Sequence, residues 1–173
     1  MADAAPIVET ERLVLGPHLE KDFAEVAAMW ADPEVTRFIG GRPLAAEEVW
    51  GKFLRNIGHW RLLGFGYWLA RERDSGRLVG QIGFSDFRRD IEPGFDGAPE
   101  MGWALAPWAN GQGFATEAVR AAVAWGDAEW GPRRTVCIIA PEHRASIRVA
   151  EKCGYRPFAR AIYHEAPTVI FER

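Results

Sequence analysis

Hydrophobic positions along the chain change their period several times, and each change predicts an element. Residues 7–15 alternate as a strand and are closed by Gly16-Pro17. Residues 19–31 carry Phe23, Val26, Ala27 and Trp30 at helical spacing, and Asp32-Pro33 ends that helix. A second helix is predicted over 44–60, with Val49, Phe53, Leu54 and Ile57 on one side and Glu47, Glu48 and Lys52 outside. Residues 67–71 and 78–85 read as short strands joined by the hairpin turn Asp74-Ser75-Gly76. The charged, Gly/Pro-punctuated stretch 86–98 is a loop long enough to suggest substrate contact, mobility or a surface excursion. A strand over 100–106 follows. Ala115, Ala118, Val119, Ala122, Val123 and Gly126 then mark a helix stopped by Gly131-Pro132. Residues 135–140 read as a buried strand. Ser146, Val149, Ala150 and Cys153 share a face of the next helix, with Gly154 placed for a left-handed cap. Residues 158–162 and 168–172 complete the strands.

Composition narrows this picture. At 173 residues, 48% hydrophobic and 26% charged, the chain suits one α/β domain over 1–173, with 1–6 expected to be a flexible N-terminus. A net charge of −3 argues against a nucleic-acid partner bound by a strongly basic face. No run approaches the roughly 18 apolar residues of a membrane span, so no membrane partner is expected. Cys137 and Cys153 stand apart from other ligands at metal spacing, which suggests core thiols and no metal site. With neither a basic nor an apolar leader at its start, the chain is expected in the cytoplasm, as a monomer or homodimer.

The segment Asn110-Gly111-Gln112-Gly113-Phe114-Ala115-Thr116 lies between a predicted strand and helix. Closely spaced glycines let successive N–H groups point at one spot, and the helix start adds positive potential, a combination that binds phosphate; an ordinary Gly-rich helix cap has the same local pattern. A dinucleotide fold is the rival. However, Thr116 takes its third glycine position, and Arg133 stands about where its ribose-binding acid belongs.

Three segments together carry a resemblance: Glu100-Met101-Gly102-Trp103-Ala104-Leu105, Gly111 through Ala118, and Ser146-Ile147-Arg148-Val149-Ala150-Glu151-Lys152-Cys153-Gly154-Tyr155. With Glu11-Arg12-Leu13-Val14-Leu15 and Gly64-Phe65-Gly66, the chain resembles the GNAT N-acetyltransferases, and among them the branch that acetylates ribosomal-protein N-termini. The resemblance implies a mixed, mostly antiparallel sheet, flanked by helices and splayed between its fourth and fifth strands. Acetyl-CoA would lie in the splay as cosubstrate, with its pantetheine arm along Trp103, Ala104 and Leu105. Its pyrophosphate would sit on the amides of Asn110, Gly111, Gln112, Gly113, Phe114, Ala115 and Thr116. The family usually has Gln or Arg where this chain has Asn110, and Asn where it has His143, a further expected cofactor contact.

Acetyl transfer needs a neutral amine, loss of its proton and departure of a thiolate. An α-amine, with a reference pKa of about 7.7–8.0 against about 10.4 for lysine, needs little help. Glu100 at the start of the splayed strand is the candidate base, or a group that orients the amine. Ala150 falls where many members of the family carry a tyrosine acid, which leaves Ser146 as the candidate donor to the sulfur. Trp60, Phe65, Tyr67, Trp68 and Trp103 are either acceptor-pocket walls or plain core. The acceptor is a protein N-terminal amine or a small-molecule amine such as an antibiotic. The alternative in another class is a noncatalytic acyl-CoA sensor.

Overall fold

The computed structural model describes residues 5–173. The stretch expected as one strand forms two, β1 (Val8–Glu9) and β2 (Leu13–Gly16), paired antiparallel with Val8 opposite Leu15. The break comes from Thr10, whose hydroxyl accepts the Leu13 N–H at 2.9 Å and closes a turn. Next come α1 (Phe23–Trp30), α2 (Pro33–Thr36) and α3 (Ala46–Leu63). The meander β3 (Tyr67–Glu72), β4 (Leu78–Ser85) and β5 (Glu100–Leu105) leads into α4 (Phe114–Trp130). The chain ends with β6 (Val136–Ile139), α5 (Arg144–Lys152), β7 (Arg156–Tyr163) and β8 (Ala166–Glu172).

All eight strands join one sheet in the order β1-β2-β3-β4-β5-β6-β8-β7. Every neighbouring pair is antiparallel except β5 and β6, which run parallel and share a single register pair, Glu100 opposite Val136. There the Val136 N–H donates to Pro99 O at 3.0 Å. Beyond that bond the two strands part. The splay is the expected one, displaced by one in the count because the first strand is divided.

Side-chain alternation sorts the core onto two faces. On one, α4 packs Phe114, Ala118, Val119 and Ala122 against Leu13, Leu15, Ala70, Ile82 and Met101. On the other, α1 and α3 pack Val26, Met29, Trp30, Val49 and Phe53 against Leu69, Leu78 and Ala104. The face of α3 differs from the expected one. Leu54 and Ile57 are exposed, whereas Asn56 and His59 are buried and Lys52 is half-buried. The polar groups are buried because the sheet side offers them partners. Asn56 Nδ2 lies 3.5 Å from His18 Nε2, and His59 Nε2 lies 3.3 Å from the Asp86 carbonyl.

Residues 1–4 of the expected flexible terminus lie outside the described residues. Ala5 is buried, and the Pro6 carbonyl accepts the Trp68 Nε1–H at 2.8 Å, so the chain is already tied down at 5 and 6.

Candidate active site

Below the splay, β5 is paired with β4 along one edge from Glu100 to Leu105, while its other edge beyond Glu100 has no strand partner. Trp103, Ala104 and Leu105 therefore present backbone groups to the open groove. After the short 3-10 turn Pro107–Ala109, the chain reaches the glycine loop. Gly111 and Gly113 adopt φ of +75° and +82°, a conformation that favours glycine, and Gly113 is the residue from which α4 starts. Among the described residues, no backbone acceptor pairs with the N–H groups of Gly111, Gln112 and Gly113. An unpaired strand edge next to free amides at a helix start fits the amides and pyrophosphate of acetyl-CoA.

The loop is braced from β2. Arg12 donates from Nη1 to the Gln112 carbonyl at 3.0 Å and from Nε to Glu117 Oε2 at 2.7 Å, and its guanidinium lies 4.5 Å from the centre of the Phe114 ring. Thr10 Oγ1 donates to the other Glu117 oxygen at 2.6 Å. Although partial burial opposes it, these hydrogen bonds hold the Glu117 carboxyl below its ordinary value. Gln112 folds back along the preceding turn, with its amide donating to the Trp108 carbonyl at 2.6 Å, and both it and Asn110 are exposed. His143 occupies the N-cap position of α5 and stacks on Phe38, ring centres 4.3 Å apart, which connects the segment after α2 to the start of α5. Burial, helped by Arg37, lowers the His143 pKa.

Ser146 is in the first turn of α5 and half-buried. Its Oγ accepts the Trp103 Nε1–H at 3.2 Å, and among the described residues it makes no bond to its own helix backbone. The indole occupies an oxygen lone pair and leaves the hydroxyl proton free to donate elsewhere. Ala150 is fully buried, and Tyr155 points into the core, where its hydroxyl meets Thr135 Oγ1 at 2.9 Å. No tyrosine therefore replaces Ser146 at this end of the groove.

Glu100 lies on the α1/α3 side of β5 and is almost fully buried. Both its oxygens are taken by one guanidinium, Arg89 Nε to Oε2 at 2.6 Å and Nη2 to Oε1 at 2.7 Å. Arg89 Nη1 also donates to the Tyr163 hydroxyl at 3.0 Å. Against the burial that would lower it, these bonds and the Glu100 charge raise the Arg89 pKa. Next along the strand is Gly102, where a Cβ would overlap the Tyr67 hydroxyl; glycine thus lets Tyr67 reach over β5. Burial pushes the Tyr67 pKa up, with Glu100 adding to the effect, and Ser85 hydrogen-bonds the hydroxyl. A cavity of about 180 Å³ opens here between residues 85–89 and Phe95, Gly97, Ala98 and Glu100. Of the five aromatic candidates, Trp60, Phe65 and Trp68 are core, and only Tyr67 and Trp103 flank the splay.

The family model for the acetyltransferase (GNAT) domain matches residues 12–156, which contain the splay, the loop and Ser146. The chain belongs to the GNAT acetyltransferase family. Among its relatives is YoaA of Bacillus subtilis, an uncharacterized N-acetyltransferase, 28% identical over 155 residues, covering 87% of this chain and 83% of YoaA. A GNAT-family acetyltransferase of Bordetella pertussis superposes with a TM-score of 0.87 at 32% identity, covering 98% of this chain and 99% of its own. The ribosomal L7/L12 α-N-protein acetyltransferase RimL, in complex with coenzyme A, shares the fold at a TM-score of 0.79 and 17% identity, with 97% of both chains covered.

The side chains expected at the site of this acetyltransferase fall on opposite sides of β5. Trp103 reaches Ser146 on the α4/α5 side, whereas Glu100 shares the α1/α3 side with Ala104; the backbone edge of 103–105, residues 110–116 and His143 lie along the chain that follows the splay. Sequence reasoning missed Arg89, which holds Glu100, and the Arg12–Glu117 brace. It also missed Phe38, Lys52 and Arg55. The only signal for Arg89 was its place in a long charged loop. Among the described residues, no group of three His, Cys, Asp or Glu is placed to hold a metal, and no helix is long and apolar enough to cross a membrane.

Proposed function

We propose that this acetyltransferase moves the acetyl group of acetyl-CoA to a primary amine by direct attack within a ternary complex, and that the amine is a protein N-terminal α-amine. Acetyl-CoA supplies the electrophilic thioester carbonyl. The backbone of 103–105 and the amides of 110–116 hold it, with Asn110 and His143 at the mouth of the groove. The Ser146 hydroxyl, fixed through its oxygen by Trp103, donates a hydrogen bond to the sulfur as negative charge develops there. Glu100, fixed by Arg89, orients the amine side of the site.

The observation that carries the choice of amine is the double occupation of Glu100. A carboxylate whose two oxygens are both held by Arg89 is poorly placed to strip a proton from a strongly basic ammonium. An α-amine is partly neutral near pH 7 and does not require it. The likeness to RimL agrees with this acceptor but reaches only the fold. Buried free thiols at Cys137 and Cys153 suit a reducing compartment, so the cytoplasm is the proposed location.

The test is CoA release from acetyl-CoA by the purified protein with N-terminal peptides, polyamines, amino acids and aminoglycosides. Preferred turnover of peptides supports the reading, and preferred turnover of a small amine replaces the acceptor. CoA binding with no turnover of any amine would instead make the chain an acyl-CoA sensor, the reading that Ala150 at the family's tyrosine position favours.

A further inference from the structure

The amine side of the splay gathers more positive than negative charge. Lys52 and Arg55 are three residues apart on α3 and so share one side of the helix. Arg89 comes to meet them from the loop after β4. The guanidinium of Arg55 lies 4.7 Å from the centre of the Phe87 ring and that of Arg89 4.9 Å from the same centre, while Lys52 Nζ lies 4.4 Å over Trp30. Of the acids at this face, Glu100 is engaged by Arg89, and Asp86 pairs with Arg88 at 2.9 Å. Among the described residues, neither Lys52 nor Arg55 has a carboxylate partner. Burial, then Arg55 and Arg89, lower Lys52 to about 8, and burial lowers Arg55 as well, with Tyr67 opposing that shift and Arg89 adding to it. In a chain of net charge −3, this local excess is not a general property of the surface.

The excess sits where the acceptor must bind. Tyr67 reaches over Gly102 at the start of the splay, and Phe87, the ring shared by both arginines, lies 6.4 Å from the Tyr67 ring. We infer that the acceptor is an amine carrying a carboxylate near its amino group, received by Arg55 and Lys52. Acidic N-terminal segments are then favoured and polycationic amines refused. Arginine suits this role because its planar guanidinium meets a carboxylate with two parallel hydrogen bonds. The same charges oppose a polyamine or an aminoglycoside. The inference rests on the acetyl-transfer reading above, which makes this face the amine side.

The experiment compares a peptide beginning Ser-Asp-Glu, its Ser-Asn-Gln isostere, free aspartate and spermidine as acceptors. It uses the wild type, Arg55→Gln and Lys52→Gln. Binding of the N-acetylated acidic peptide to the CoA-loaded protein is measured separately by calorimetry. We expect kcat/KM for the acidic peptide to exceed that of the isostere by about tenfold or more, an advantage that shrinks as salt is raised. Arg55→Gln should bring the acidic peptide down towards the isostere and weaken binding of the acetylated peptide. A preference for free aspartate would identify an amino acid as the source of the carboxylate. Equal use of the isostere, preference for spermidine, or an undiminished acidic preference in both variants would overturn the inference while leaving acetyl transfer intact. If no amine is turned over, acetyl transfer fails, and the calorimetry still decides whether the acidic site exists.

Discussion

Replacing Glu100 by Gln separates proton abstraction from positioning, and the structure sets the size of the effect. The substitution keeps the shape of the side chain but leaves Arg89 without its counter-charge. The Glu100 side chain is 6% exposed and that of Arg89 18%, and the guanidinium would keep one hydrogen bond to the Gln oxygen, the Tyr163 hydroxyl at 3.0 Å and the Phe87 and Tyr163 ring faces. Removing one partner of a buried pair costs about 3–5 kcal/mol. The remaining contacts and the access of Arg89 to water reduce this, and we expect a loss of about 2–3 kcal/mol. For a domain of this size, that corresponds to a fall in Tm of about 5–10 °C.

Activity discriminates the two roles. If Glu100 is a positioning group, Glu100→Gln lowers kcat without changing the shape of the pH-rate profile. Arg89→Gln then produces a similar loss, and the double variant is little worse than either single one, because all three break the same pair. The assay is CoA release across pH 6–9, roughly the range in which an α-amine titrates, with thermal melts of each variant. The positioning argument is refuted if Arg89→Gln keeps the wild-type kcat while Glu100→Gln loses about 10²-fold near neutral pH and recovers as pH rises.

Ser146→Ala should lower kcat by about 10- to 100-fold with little change in CoA affinity, since a thiol leaving group needs only moderate help near neutral pH; single-turnover rates and CoA titrations check the split, and full activity would remove the donor role. CoA at about 100 times its Kd should stabilise the wild type by about 2.7 kcal/mol, read as a thermal shift. Gly113→Glu, which puts a carboxylate among the phosphate-binding amides at φ +82°, should abolish that shift, and a retained shift would move the pyrophosphate elsewhere. Burial lowers His18 to about 4, so below the ordinary value of 6.5 the unfolded chain takes up the proton first. Its contribution is therefore complete above pH 6.5 and is lost as pH falls towards 4, up to about 3 kcal/mol; urea melts across that range should show a slope that His18→Gln removes.

The sequence made legible what depends on local backbone chemistry. Strand β4 has the expected bounds because a hairpin turn precedes it and the charged loop follows. Asp32-Pro33 was readable as a helix stop but not as the start of the next. It is both, with Pro33 opening α2 and Asp32 Oδ1 accepting the Glu34 N–H at 2.8 Å. The buried side of α3 was misread because helical periodicity counts apolar residues, whereas Asn56 and His59 are held by partners distant in sequence. At the site, the turn at Gly111 and Gly113 and the place of Ser146 on its helix were legible because both depend on local backbone conformation. The Arg89–Glu100 pair could not. It forms only when the loop 86–98 folds back on β5, and a charged loop does not announce which carboxylate its arginine will meet.

The two-residue period of β5 divides the chemistry. Ala104 and Glu100 point to the α1/α3 face, where Arg89 and Tyr67 meet them, while Met101 and Leu105 point to the α4 face. Trp103, on the second side, reaches Ser146 on α5 at 3.2 Å. The group proposed to receive the thiolate's charge and those proposed to orient the amine are thus separated by one strand, and they would meet only where β5 loses its partner, beyond Glu100. A one-residue slip of β5 against β4 would exchange the faces, burying Trp103 under α3 and turning Glu100 away from Arg89. The pairing of Gly83 with Gly102 in the middle of that register guards against it, because Tyr67 already fills the space above Gly102 and would clash with the side chain of either neighbour.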